Sequence, residues 1–391
     1  MADVYPLYNR SFLLHRLSPL HHGDAPLLGG GSLRAHATTL AEQLRGDSVR
    51  GVQVDFAAAH DTAKLGPLDG CAWELLGDED AWIDRHRPSI EPRASPPAAS
   101  LTPARARGIA VSLDYETQSY HALLLRDPGV TSAAPDGFTA LPLLLTQMPG
   151  PVRDIFLNYL RTAFDAHVAP LRLPPAFIAA SLETYLTRLS ATTSTQTIQD
   201  VVRQLNVQLA FPTATASLKH MEITIAGPDV SGFVTRGKGS DKPFTTALSR
   251  YLETHLALDP SRTKAHISRI SCNSFHLGSE RLKLAAPDPL EDNSMSDEAG
   301  ASQDVSAGQL AVQDFYASLV REAAGTGKFL PEETATEQRD GTPSSTASAQ
   351  SNQRKRAASN AAAVAAHSKK AKSIGNQNGT GVNGEKRVAA V

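Results

Sequence analysis

IAVSLDYETQSYHALL, residues 109–124, sets Ile109, Val111, Leu113 and Tyr115 on alternate positions, turns over Glu116 to Ser119, and returns with Tyr120, Ala122 and Leu124. A period of two marks a half-buried strand, so this stretch predicts a β-hairpin and an antiparallel sheet around it. The same reading extends outward. Residues 12–17 alternate, residues 71–76 form a short apolar run, and 205–209, 221–225, 266–277 and 281–284 read as further strands. Val52, Val54 and Phe56 alternate with polar neighbours and predict one more. The run 141–145 contains Pro142, whose missing N–H predicts an edge or irregular strand.

Helices are set off by proline and by apolar residues three and four apart. Behind Pro149 and Pro151 come Val152, Ile155, Phe156, Tyr159, Leu160, Ala163 and Phe164. Ile178, Leu182, Tyr185, Leu186 and Leu189 repeat the pattern after Pro175, and Phe244, Leu248, Tyr251, Leu252 and His255 repeat it after Pro243. An earlier helix opens at Ser32, carries Leu33, Leu40 and Leu44 on one face, and is expected to stop at Gly46. Successive strands with short turns and interspersed helices predict an α+β fold, a mostly antiparallel sheet with helices packed on it, rather than a doubly wound one.

Hydrophobic residues make up 41% of the 391 and charged residues 20%, which is ordinary for a globular protein, but the apolar ones concentrate before about Leu284. The chain therefore predicts a single domain over 1–284, interrupted by the extended Pro-rich insertion RPSIEPRASPPAASLTPA at about 87–104, and a largely disordered tail over 285–391. Within the tail, Val312, Phe315, Tyr316, Leu319 and Val320 make an amphipathic segment at about 310–323. It either docks back on the core or meets a partner.

A formal net charge of -2 calls for neither nucleic acid nor an anionic membrane as a global partner. Cys71 and Cys272 are too few for a disulfide framework and sit in no CxxC spacing, so they read as small apolar residues. The first twenty residues lack an unbroken apolar core and no segment approaches a membrane span, which predicts a soluble intracellular protein.

The best candidate for chemistry is GFVTRGKG at 232–239, which has the spacing of a phosphate-binding loop between a strand and a helix. Gly239 stands where a magnesium-binding hydroxyl is needed, and the next helix starts only near Pro243, so the residues read as a flexible basic loop. A nucleotide-binding enzyme using this degenerate loop is the rival function. Glu74, Asp78, Glu79, Asp80 and Asp84 lack calcium-site spacing, and the thirteen histidines fall in no metal or catalytic pattern, so no catalytic, metal or cofactor residue is assigned. Arg236, Lys238 and Lys242 form a local positive cluster that is either solvated or a DNA phosphate contact. Arg354, Lys355 and Arg356, followed after an Ala-rich spacer by Lys369, Lys370 and Lys372, have the form of a bipartite nuclear import signal.

Several segments in order, PLYNRSFLLHRLSPL (6–20), RGVQV (50–54), WELLGDEDAW (73–82), ALLLRDP (122–128), FDAHVAPLRLP (164–174) and LGSERLKL (277–284), together resemble the fungal branch of the centromere protein L family, the Sim4-complex subunits of the inner kinetochore. The resemblance implies a curved antiparallel sheet with packed helices and a non-enzymatic structural subunit of the constitutive centromere-associated network. It further implies a nuclear protein at the centromere that pairs with a centromere protein N-like subunit, contacts other inner kinetochore subunits, and helps the complex hold centromeric nucleosomes and DNA. It implies no small-molecule substrate and no membrane. A free-standing nuclear DNA-binding factor is the other rival, predicting salt-sensitive binding without a partner. If 266–277 is a strand at a sheet edge, it can pair with a strand of the partner, with Ile267, Ile270 and Phe275 as anchors; ordinary pairing within the chain is the alternative.

Overall fold

The computed structural model describes residues 4–49, 65–86, 101–129, 131, 134–191, 202–211, 219–258, 265–286 and 307–325. All of these belong to one compact unit, Met1–Arg339, and the second unit, Asp340–Val391, lies outside them. The strand expected at 52–56, residues 87–100 of the insertion expected at about 87–104, and the basic clusters at 354–372 also fall outside the described residues.

The hairpin forms as β4 (Gly108–Tyr115) and β5 (Ser119–Leu125), paired from Gly108↔Leu125 to Asp114↔Ser119. It belongs to an open eleven-stranded sheet. The other strands are β1 (Ser11–Leu17), β3 (Leu68–Leu76), β7 (Leu143–Gln147), β9 (Gln204–Ala210), β10 (His220–Ala226), β11 (His266–Ser271), β12 (Phe275–Gly278) and β13 (Arg281–Leu284). Their order is β10-β9-β11-β12-β13-β1-β7-β5-β4-β3, with β8 (Val168–Pro170) paired to β1, and every strand pair is antiparallel. A separate ribbon joins β2 (Leu20–His21) to β6 (Phe138–Thr139). Among the described residues there are seven helices: α1 (Gly30–Val49), α2 (Glu79–His86), α3 (Gly150–Phe164), α4 (Pro175–Ala191), α5 (Gly227–Arg236), α6 (Pro243–Leu256) and α7 (Ala307–Ala324). The fold is α+β, as expected.

Alternate side chains of a strand point to opposite faces, so the sheet supports two cores. On the first face Phe12, Leu14, Leu145, Val207, Ile270, Leu277 and Leu282 pack with residues of α4, α5, α6 and α7. On the second, Leu17, Leu144, Val111, Leu113, Ala122 and Leu124 pack with residues of α1 and α3. The second core reaches only from β1 to β3. Among the described residues no helix covers the second face of β9 and β11–β13.

Two local readings are corrected. Pro142 does not mark an edge: it precedes β7, which is paired on both sides, by β1 and by β5. The Pro142 carbonyl still accepts from Leu17 N–H, so the missing N–H is kept just outside the ladder. Helix α1 continues through Gly46 to Val49. The acidic residues Glu79, Asp80 and Asp84, read above only for their lack of calcium-site spacing, belong to helix α2, whose Trp82 is buried against Tyr5.

The basic loop at 232–239 is also replaced. Gly227–Arg236 is helix α5, with Pro228 in its first turn and Val230, Phe233 and Val234 buried at helical spacing. Gly237 N–H bonds to the Phe233 carbonyl and Lys238 N–H to that of Thr235, so the amides that a phosphate cradle would need are already used. Gly237 is glycine because α6 crosses close by: a Cβ there would lie 1.8 Å from the Pro243 carbonyl oxygen. The spacing that imitates a P-loop is a tight connection between two packed helices, and the nucleotide-binding rival loses its geometry.

Two tertiary contacts fix the helical layer. Glu183 of α4 is 7% exposed and accepts hydrogen bonds from Phe244 N–H at 2.8 Å, Thr245 N–H at 2.9 Å and the Thr245 hydroxyl at 2.7 Å. Its carboxylate thus caps the N-terminus of α6, whose own preceding residue, Lys242, makes no side-chain cap. Helix α7 docks on α4 and on the first face of β1 and β7. It buries Ala311, Tyr316, Leu319, Val320 and Ala323, each large side chain contributing about 1.5–3 kcal/mol. The buried Tyr316 donates its hydroxyl to the Arg126 carbonyl, the Arg107 guanidinium lies 5.2 Å from its ring, and Asp314 pairs with Arg188. The amphipathic segment of the tail therefore packs on the core.

Candidate functional site

The strand proposed as a docking edge is two strands in the interior of the sheet. β11 is paired by β9 and β12, and β12 by β11 and β13, because Cys272 N–H bonds back to the Phe275 carbonyl and closes a turn. Ile267, Ile270 and Phe275 are 7%, 0% and 7% exposed, and Phe275 packs against Tyr185 with ring centroids 4.7 Å apart. These residues hold the core, and edge pairing by this segment is corrected accordingly.

The ends of the sheet differ in chemistry. At β3, guanidinium groups take main-chain carbonyls: Arg45 donates to Leu68 and Asp69, and Arg85 to Leu75. An edge treated this way is a poor template for another strand. At β10, Phe211 N–H bonds to the Lys219 carbonyl and Gly227 N–H to that of Arg203, which fixes the alternation of the ladder. Odd-numbered residues of β10 bond to β9, so the N–H and C=O of His220, Glu222 and Thr224 point away from the sheet. No described strand pairs with that side. All three side chains are exposed.

Beside this edge lies the second face, which no described helix covers. Arg269 stands opposite Gln208, His276 opposite both Ser271 and Lys283, and Arg281 opposite Leu13, all on one face by alternation. Arg281 and Lys283 are exposed and His276 is half-buried. The carboxylate of Glu222 on β10 lies 3.6 Å from Arg269. Burial, and then the charges of Arg269, Lys283 and Arg281, hold the His276 imidazole below its usual range. Positive side chains thus collect on a polar strand surface two to four strands from an edge that no described strand pairs.

Arg236, Lys238 and Lys242 are exposed but lie at the end of α5 and in the α5–α6 connection on the helix-covered side, so the structure does not bring them to this face. The Arg236 guanidinium lies 4.6 Å from the Phe233 ring. The two cysteines are half-buried free thiols, and burial pushes Cys71 up to about 11. Among the described residues no group of three His, Cys, Asp or Glu could hold a metal ion, and no helix is long and apolar enough to cross a membrane. Sequence reading missed the basic face. The alternation of Arg281 and Lys283 was visible, but nothing local sets His276 opposite Lys283.

A family model for centromere protein L matches residues 6–324. The chain belongs to the centromere protein L family. No curated protein sequence matches it. The matched span takes in every strand and helix described above and ends at the last residue of α7, so the docked helix lies within the extent of the centromere protein L family. As a member of this structural kinetochore family, the protein is a centromere and kinetochore protein that works within kinetochore complexes.

Proposed function

We propose that this centromere protein L family member is a nuclear, non-enzymatic subunit of the inner kinetochore that pairs with a centromere protein N-like partner by accepting a strand at β10. The basic face beside β10 then contacts centromeric DNA, supporting nucleosome binding and kinetochore assembly within the Sim4-type complex. The observation that carries this reading is the contrast between the sheet ends: arginines occupy carbonyls of β3, while the outward main-chain groups of β10 are paired by no described strand and lie next to a cationic surface. Strand addition takes its affinity from main-chain hydrogen bonds and its specificity from alternate side chains.

Main phosphate contacts fall to Arg269, Arg281 and Lys283 rather than to Arg236, Lys238 and Lys242, which face the other way. The basic clusters Arg354, Lys355, Arg356 and Lys369, Lys370, Lys372 serve nuclear import.

Thr224→Pro tests the pairing. It removes an outward N–H and places a pyrrolidine ring against any incoming strand, while proline is tolerated on the free side of an edge strand. In affinity purification from nuclear extract, the wild-type chain should recover a centromere protein N-like subunit at equal stoichiometry. The variant should lose it while keeping the wild-type melting temperature. Undiminished recovery by the variant would exclude β10 as the docking edge.

A further inference from the structure

His276 occupies the middle of the cationic face. Lys283 is its direct neighbour across β13, Arg281 lies two residues along the same strand, and Arg269 projects from β11. Lys283 stands directly opposite His276, and Arg269 and Arg281 lie one row along on its two sides, on a face that no described helix covers; like charges gathered at neighbouring strand positions are an arrangement that folding by itself does not favour. Two acidic groups of this part of the sheet already have partners, and one of them partly offsets Arg269. Glu222 of β10 sits against Arg269, and Glu280, in the turn before β13, pairs with Arg172 at 2.8 Å. Lys283, Arg281 and Arg269 are thus the charges that face the ring from the two strands flanking β12. With burial they keep it neutral at physiological pH.

A phosphate chain laid across this face reverses the balance. Its oxygens offset the three cations and offer an acceptor to a protonated ring nitrogen. We infer that His276 is itself a binding residue for the nucleic-acid backbone, joining the contact as imidazolium by taking one proton from solvent when the phosphates arrive. This rests on the proposed DNA contact of the β11–β13 face. The step forms no covalent bond: a neutral imidazole and a solvent proton become one added positive charge in the interface. Linkage sets the sign, because binding that takes up a proton strengthens as pH falls, by at most about tenfold per pH unit for one proton.

The test is fluorescence anisotropy with a short mixed-sequence DNA duplex in low salt, using the full chain throughout so that the basic tail contributes equally to every variant. From about pH 8 to about pH 6, wild-type affinity should rise roughly tenfold. His276→Gln should bind with a markedly smaller slope, and His276→Arg should bind at pH 8 about as tightly as wild type at pH 6. His266→Gln, on β11, should keep the wild-type slope. Binding by wild type without a pH slope, or an equal slope in His276→Gln, overturns the role of His276 and leaves the DNA contact standing. If triple substitution of Arg269, Arg281 and Lys283 by Gln leaves affinity unchanged in a folded chain, the face makes no DNA contact and both readings fall.

Discussion

Phe275→Glu should unfold the protein. The ring is 7% exposed, packs against Tyr185 and belongs to the core beneath α4 and α7. Truncating such an aromatic alone costs about 3–5 kcal/mol, and a carboxylate in its place adds the cost of burying a charge without a partner. Together these approach the whole stability of an ordinary domain, about 5–15 kcal/mol. Circular dichroism and the soluble yield of the purified chain should therefore show loss of the cooperative melt, whereas Phe275→Leu should melt only a few degrees below wild type. A soluble, normally melting Phe275→Glu protein that had lost only its partner would restore the view that this residue is an interface anchor. In the structure β12 has neighbours on both sides, so no partner strand can reach it.

The second large effect is expected at Glu183→Ala. Removing the carboxylate strips three acceptor contacts at once and leaves the buried Phe244 N–H without a partner. A helix cap is worth about 0.5–2 kcal/mol, a hydrogen bond to a charged group about 1.5–3, so a combined loss of about 3 kcal/mol is expected after partial relaxation. Urea unfolding should show the midpoint falling with an unchanged slope. Glu183→Gln keeps one acceptor oxygen and should recover part of the loss. Near-wild-type stability of Glu183→Ala would mean that the α4–α6 contact is held by its apolar residues alone.

These two positions show where local reading fails. Glu183 looks like an ordinary polar residue in an amphipathic helix, since its partners lie 61 and 62 residues further on. Phe275 lies in a strand as expected, but the stretch 266–277 splits into β11 and β12, and its place inside the sheet depends on β9, from far upstream, pairing with β11 and on β13, from across a turn, pairing with β12. The glycines of 232–239 fit the spacing of a phosphate loop equally well whether the backbone amides are free or bonded into α5. The approach of Pro243 to Gly237 decides between them, and that approach exists only once α5 packs on α6.

By itself the sequence determined the local elements and the fold class. Period-two alternation at 109–124 and at 205–209, and proline-led helical spacing at 152–164, 178–189 and 244–255, each follow from a few adjacent residues, because strand and helix geometry repeat over such short distances. Ordered segments from residue 6 onward also carried the family, which the match over 6–324 established. Tertiary structure alone decided which strands are interior, which edge is left open and which charges share a face. Those properties come from pairing residues distant in the chain. A shift of register by one position would turn the same alternating pattern inside out, and only the two packed cores, with their helices and the pairing of β9, β11, β12 and β13, select the register that leaves the outer side of β10 unpaired by any described strand and His276 among cations.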